Sequence, residues 1–505
     1  MKINIKYLSL LFSTISAIAI VGMVLNAQEV FKSGQLYYTV TDPVKKTVMV
    51  VPENWSNPSN PTAFKLNLQF QVTNIADGQT NDSIIVELYS SEHDRAIGKN
   101  VLSSKKTNDS GIVVFHANDF KSSSANPNNG YYYINVFKGE MRAQATTVYL
   151  DFSLDQTINQ NLTLENASAE PITVKVAIVY ENFVIPQTGY RINRSFNWMN
   201  PIRLCETYKE AMEEAAHGVV NYEIVQEIDA DTTFTYYTAN NPNKTPMSRY
   251  EVGRRLSDRD TWKDFEASTR YNYNKMISYY GFDKMRDNEE VHEVWVATQP
   301  FSGMWESHLM GKNAFWLNSP PAENPTCDKL LTVMFFNYER STAEAVHSFG
   351  HRFESVMMQV YGWWNYKNKS TISQLTNFEL FTAHQLEYQK FDPSCQSGGQ
   401  CHAHTGVCHY PPNGESDYDY RNKREVYSYA KAWHNYPYIR EDQDLVETVS
   451  CDTWDCDHLK YLKWWYSHIP RFEGLNKKDS KLNNWWHYVV NYNDAIEKEL
   501  QLRNQ

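Results

Sequence analysis

Between residues 64 and 72 apolar and polar side chains alternate without a break. Phe64, Leu66, Leu68, Phe70 and Val72 fall on one face, and Lys65, Asn67, Gln69 and Gln71 on the other, the pattern of a half-buried strand. Similar short runs follow at 83–89, 111–117, 131–137, 146–154 and 172–180, separated by clusters of Asn, Asp, Ser, Gly and Pro. Six or seven short strands with no helical pattern between them predict an all-β, antiparallel sandwich over residues 28–185. No catalytic constellation falls within it.

Beyond Pro186 the period changes. Helical spacing covers 206–217, 261–280 and 341–361, with Gly281 a natural stop after the second. Apolar runs at 291–296 and 330–336 predict strands, the second nearly continuous in apolar residues and therefore central. After Asp392 the chain is loop-rich, with Cys, His, Gly and Pro crowded between Cys395 and Asn413, and helical patterning returns near Asp457 and over 485–502. The expected fold is multidomain: the sandwich, then a mixed α/β (α+β) domain over 186–505 with a zincin-like strand-then-helix site.

The first residues change where this fold is expected to work. Lys2 and Lys6 precede an apolar run from Leu8 to Leu25, and Ala27 offers a small residue for cleavage, which predicts a secretory signal peptide over 1–27 and a secreted or cell-surface bacterial protein. Because the run approaches the ~20 residues that span a bilayer, an uncleaved anchor is the alternative. No later stretch is as apolar, so no membrane contact is expected after cleavage. The net charge of −11 comes without any basic cluster, which argues against nucleic acid as a partner. Seven cysteines in an exported chain predict disulfides with at least one thiol left over. Cys451 and Cys456 stand close enough for a local bridge, as do two of Cys395, Cys401 and Cys408.

The chemistry concentrates in the stretch from Asn337 to Glu354. At 100° per residue Glu344, His347, His351 and Glu354 lie within about 80° of one another on a helix. Two histidines at i and i+4 can hold one cation from a single face, as in zinc peptidases, with carboxylates as further ligands or as base. Zinc is the first choice of cofactor, although the donors also suit iron or manganese. Ser348 stands where the catalytic Glu of that motif would follow the first His, so Glu354 or Glu344 would take its place. The competing reading is a surface helix with a polar face, since Ala345, Phe349, Phe353, Val356 and Val360 form an apolar stripe opposite.

A further metal ligand is expected from the 395–413 loop, which holds His402, His404 and His409. His409 is the strongest of the three, because Pro411 and Pro412 stiffen the chain beside it. The C-x5-C-x6-C spacing lacks the short pair of a zinc knuckle. Glu306 and His308 follow a predicted strand, where loops of α/β folds carry functional groups. Glu415, Asp417 and Asp419 alternate in a loop and offer a candidate Ca²⁺ site. Aromatic residues make up 14% of the chain, with 34 Tyr and 14 Trp, enough to line a sugar groove with Trp363, Trp364, Trp433, Trp464, Trp465, Trp485 or Trp486 as well as to build a core.

The segments Trp305-Glu306-Ser307, Phe315-Trp316-Leu317-Asn318-Ser319-Pro320-Pro321, Asn337-Tyr338-Glu339-Arg340, Ser348-Phe349-Gly350-His351-Arg352-Phe353-Glu354-Ser355 and His409-Tyr410-Pro411-Pro412-Asn413 resemble those of a group of secreted bacterial proteins without an assigned activity. The likeness covers about 290–490 and leaves the sandwich out. It implies that an acid can stand at the position of His347, still a ligand type. Function therefore rests on the residues, which point to a metal-dependent hydrolase acting on an extracellular polymer, peptide or glycan, with His347, His351 and His409 holding the ion. Two alternatives stand beside it: a metal-independent glycan hydrolase using a carboxylate pair such as Glu306 and Glu354, and a non-enzymatic carbohydrate-binding or adhesive protein.

Overall fold

The structure is a computed structural model, and it describes residues 37–42, 47–52, 66–74, 81–120, 130–139, 141–143, 146–152, 156–439 and 445–504. The expected signal segment lies outside these residues. The chain divides into two compact units, one up to Ala167 and one from Ser168 onward.

The first unit is strand-rich. The alternating segment becomes the strand Leu66–Asn74, and Leu66, Leu68, Phe70 and Val72 are all buried. They join Val86, Leu88, Phe115, Ile134, Val148 and Leu164 in one apolar core. Among the described residues ten strands share one hydrogen-bonded system. It is not purely antiparallel: Leu66–Asn74 pairs parallel with Gln156–Asn166 and antiparallel with Ile112–His116. A short helix, Glu92–Ile97, interrupts the strands, capped by the Ser91 side chain.

The second unit is mixed, with a five-stranded sheet of β1 (Ile172–Tyr180), β2 (Val220–Asp229), β3 (Glu293–Thr298), β4 (Ser307–Met310) and β5 (Leu331–Asn337) in the spatial order β2-β1-β3-β5-β4. All neighbours run parallel except β4 against β5. Here the structure differs from the expected boundary at 185. The segment 172–180, expected to close the sandwich, is instead an interior strand of this sheet. Its apolar run Val176-Ala177-Ile178-Val179 does not alternate, and all four residues are buried, as a strand covered on both faces requires.

Helix α1 (Pro201–Ala215) opens with Asn200 as cap and Pro201 in its first turn. The single helix expected over 261–280 is broken: α2 (Trp262–Ser268) and α3 (Tyr273–Tyr280) flank a short strand, Thr269–Tyr271, which pairs with Thr235–Tyr237. Local helical spacing lost there to strand pairing, and Asn272 caps the restart. Helix α4 (Thr342–Tyr361) follows β5 at once. It packs against β5, α1, α5 (His458–Ser467) and α6 (Trp485–Val490), and α7 (Tyr492–Arg503) closes the chain.

Two devices fix α4. At its start Ser341 and Glu344 form a capping box, the Glu344 carboxylate accepting from the Ser341 N–H at 3.1 Å and hydroxyl at 2.6 Å. Midway, the buried Arg352 guanidinium donates to Glu293 of β3 at 2.6 Å and to the Val489 carbonyl of α6. An unpaired guanidinium there would be costly, so this pair sets the helix rotation and with it the direction of His351.

Candidate metal centre

The His/Glu stripe of α4 does not face water. His347 and Glu354 are buried, and only 19% of the His351 side chain is exposed. Against this face lies the loop from Val407 to Asn413, which brings in His409. The Nε2 atoms of His347 and His351 are 3.0 Å apart, those of His347 and His409 3.1 Å, and those of His409 and His351 3.0 Å. Three imidazole nitrogens therefore face one point. At most one can spend a proton on another, so the lone pairs that remain repel unless a cation or protons sit among them.

Each ring is held from behind by its other nitrogen. His351 Nδ1 meets the Glu354 carboxylate at 3.3 Å, His409 Nδ1 meets Asp417 at 2.8 Å, and His347 Nδ1 meets His458 Nε2 at 3.1 Å. The Tyr418 ring lies 4.1 Å from that of His409 and is tilted over it, and Tyr420 stacks on His458 at 4.3 Å. A partner on Nδ1 leaves Nε2 as the coordinating atom, the arrangement that orients metal-bound histidines. Glu354 also accepts the Cys408 N–H at 2.8 Å, tying the loop to the helix.

Burial, with the neighbouring His351, His458 and His409, pushes the His347 imidazole down to about 2, so it is a neutral donor at any physiological pH. Burial also lowers His351, but the hydrogen bond and charge of Glu354 outweigh it and hold that ring above the ordinary range. The Cys408 thiol, buried and facing Glu354, Glu306 and Asp417, is pushed well up. Its Sγ lies 3.5 Å from His347 Nδ1 and 3.7 Å from Nε2, close enough to join the three histidines as a fourth donor.

The other expected site residues are placed as follows. Glu306 accepts from Asn318 at 2.7 Å and stands 3.9 Å from His351 Nε2, with 40% of its side chain exposed. Glu344 is spent on the helix cap. His308 is buried on β4, bonded to Ser319 at 2.9 Å and stacked on Tyr273. His402 pairs with Asp392 at 2.8 Å, and His404 accepts from the Trp433 indole. Among the described residues Glu415, Asp417 and Asp419 form no group able to share a cation. Asp419 braces the loop through Glu415 N–H and Asn422, while Asp417 serves His409. Trp433, Trp465, Trp485 and Trp486 are core, whereas Trp364 lines a cleft beside the triad. Two disulfides form, Cys395–Cys401 and Cys451–Cys456, and Cys205, Cys327 and Cys408 are free and buried.

Sequence reasoning missed His458 and Tyr420, and saw Asp417 only as a calcium ligand. His458 follows its helix cap Asp457 at the start of α5, more than a hundred residues from His347, and no spacing rule connects them.

No family model matches the chain, and no curated protein does. Among solved structures, the Bacillus anthracis TIE protein is 13% identical with a TM-score of 0.15, covering 28% of this chain and 27% of that one. A mutant form of the shaft pilin SpaA from Lactobacillus rhamnosus GG is 11% identical with a TM-score of 0.14, covering 26% of this chain and 58% of that one. Likeness at these scores transfers nothing to this protein.

Proposed function

We propose that the second unit is a metal-dependent hydrolase, with zinc as the preferred ion and His347, His351 and His409 as its ligands. The observation that carries this reading is the triangle of Nε2 atoms with edges of 3.0–3.1 Å. Three nitrogens each about 2.0–2.1 Å from a tetrahedral zinc stand roughly 3.3 Å apart, so the rings need open only slightly. Three protein donors leave one position for water or substrate, and the ion would supply a Lewis acid that brings a ligated water toward neutrality. Glu306, 3.9 Å from His351 Nε2 and 40% exposed, suits the general base better than Glu354, whose two oxygens are spent on His351 and the Cys408 N–H. Glu354 and Asp417 orient the ligands.

We read the site as zincin-like in logic, which the strand-then-helix order of β5 and α4 supports, with the third ligand coming from a loop. We read the first unit as a sandwich that serves for spacing or binding, and its shared core of alternating residues supports this. The two disulfides fit the expected export and hence a substrate outside the cell.

A second reading rests on Cys408: were its thiolate a fourth ligand, the site would be closed and structural. Elemental analysis of protein purified without a His tag tests the first reading. We expect one equivalent of zinc per chain, lost in His351→Ala and His409→Ala and kept in Cys408→Ser. Protein that neither carries nor takes up zinc, iron or manganese would sink the metal reading, and loss of metal in Cys408→Ser would favour the closed site.

A further inference from the structure

A cleft of about 470 Å³ opens directly beside the triad, sharing His351 and His409 with it. Its remaining wall combines two kinds of group. Trp364, Tyr366 and Tyr410 offer aromatic surface. Trp364 is held in place, with one face stacked on Phe378 at 5.4 Å and its indole N–H donating to Thr382 at 2.9 Å. Tyr410 stacks on His384 at 5.2 Å. Polar groups stand among these rings. Glu387 and Glu354 present carboxylates, and His384, only 8% exposed, has no hydrogen-bond partner at Nδ1 among the described residues. No lysine or arginine among the described residues lines the cleft.

An apolar side chain seated here would satisfy the rings but leave the Glu387 carboxylate in the same wall without a hydrogen-bonding group to meet it, which is costly. An anion would meet two carboxylates, while Lys390, the basic group that acts on Glu387, lies outside the cleft wall and is bonded to the Tyr366 carbonyl. A pyranose ring has C–H faces for the aromatic platform and hydroxyls that donate to the Glu387 carboxylate. We propose that this cleft is the subsite for an uncharged saccharide unit, so that the substrate of the neighbouring centre is a neutral glycan rather than a peptide. The inference rests on the hydrolase reading for the chemistry but not for the binding.

The test uses the full mature chain with three soluble probes: cello- and N-acetylglucosamine oligosaccharides as neutral glycans, oligogalacturonate as an anionic one, and a Phe-containing tetrapeptide amide. Binding is followed by calorimetry and tryptophan fluorescence. At least one neutral oligosaccharide should bind and oligogalacturonate should not. Trp364→Ala should weaken that binding at least about tenfold, with Trp364→Phe intermediate and the metal content of both variants unchanged. Failure of every neutral oligosaccharide at millimolar concentration, preference for the peptide, or undiminished binding in Trp364→Ala overturns the proposal. Metal analysis of the same samples keeps the two readings apart. Metal-free protein that binds oligosaccharide sinks the hydrolase alone, and metal-loaded protein that binds none sinks the saccharide subsite alone.

Discussion

His308 shows how a residue with a chemical reputation can be structural. Burial alone lowers its imidazole to about 4, below the ~6.5 of an exposed histidine. A depressed pKa means that the folded state resists protonation, so this contribution to stability is complete above about 6.5 and is lost as pH falls toward 4. At roughly 1.4 kcal/mol per unit the loss amounts to about 3 kcal/mol. Chemical denaturation at pH 7 and pH 4.5 should show a drop that His308→Gln largely removes. An equal drop in the variant would assign the acid sensitivity elsewhere. Asp417 is the opposite case, an exposed carboxylate with a precise partner. Replacing it by Ala frees the His409 ring to turn, and metal affinity, measured by competition with a chelator, should fall by about 10–100-fold while the melting temperature stays within a degree or two. Unchanged affinity would mean that Tyr418 and the prolines hold His409 unaided.

At the scale of elements, α4 carries two acids that the sequence presents alike and the fold separates. Glu344 closes the capping box, so Glu344→Ala should cost about 1 kcal/mol in denaturant midpoint and leave the metal bound. Gly350 works by its lack of a side chain: a Cβ there would lie 2.5 Å from Cys408 Sγ and 2.9 Å from the Tyr466 hydroxyl. Gly350→Ala should therefore push away the loop that carries His409 and weaken metal binding, and adding Cys408→Ala should recover part of it. Retained affinity in the single variant would show that the loop yields without moving His409. The i, i+4 histidines and the stiffened His409 were legible because helical period and proline rigidity are local properties. The support from His458 and the burial of the stripe were not, since both depend on where α5 and the 407–413 loop pack. For the same reason the expected helix at 261–280 failed, because its middle residues had a strand partner some thirty positions earlier.

For the molecule as a whole, the decisive segment is β1. Its run of apolar residues looked like another strand of the first unit, yet it pairs on both sides with strands of the second, and Tyr338 after β5 donates to the carbonyl of Glu181 just beyond its end at 2.9 Å. All three triad histidines, their supporting partners and the adjoining cleft lie after Ser168. Cutting the chain at 167/168 should therefore yield a C-terminal fragment that melts cooperatively and takes up the same equivalent of metal as the full protein. Cutting at 185/186 removes an interior strand, exposing the edges of β2 and β3 and the apolar faces they covered. That shorter fragment should aggregate or fail to melt cooperatively, as read by circular dichroism and size-exclusion chromatography. If the fragment starting at 186 folds and binds metal as well as the one starting at 168, β1 is dispensable and belongs to the first unit after all.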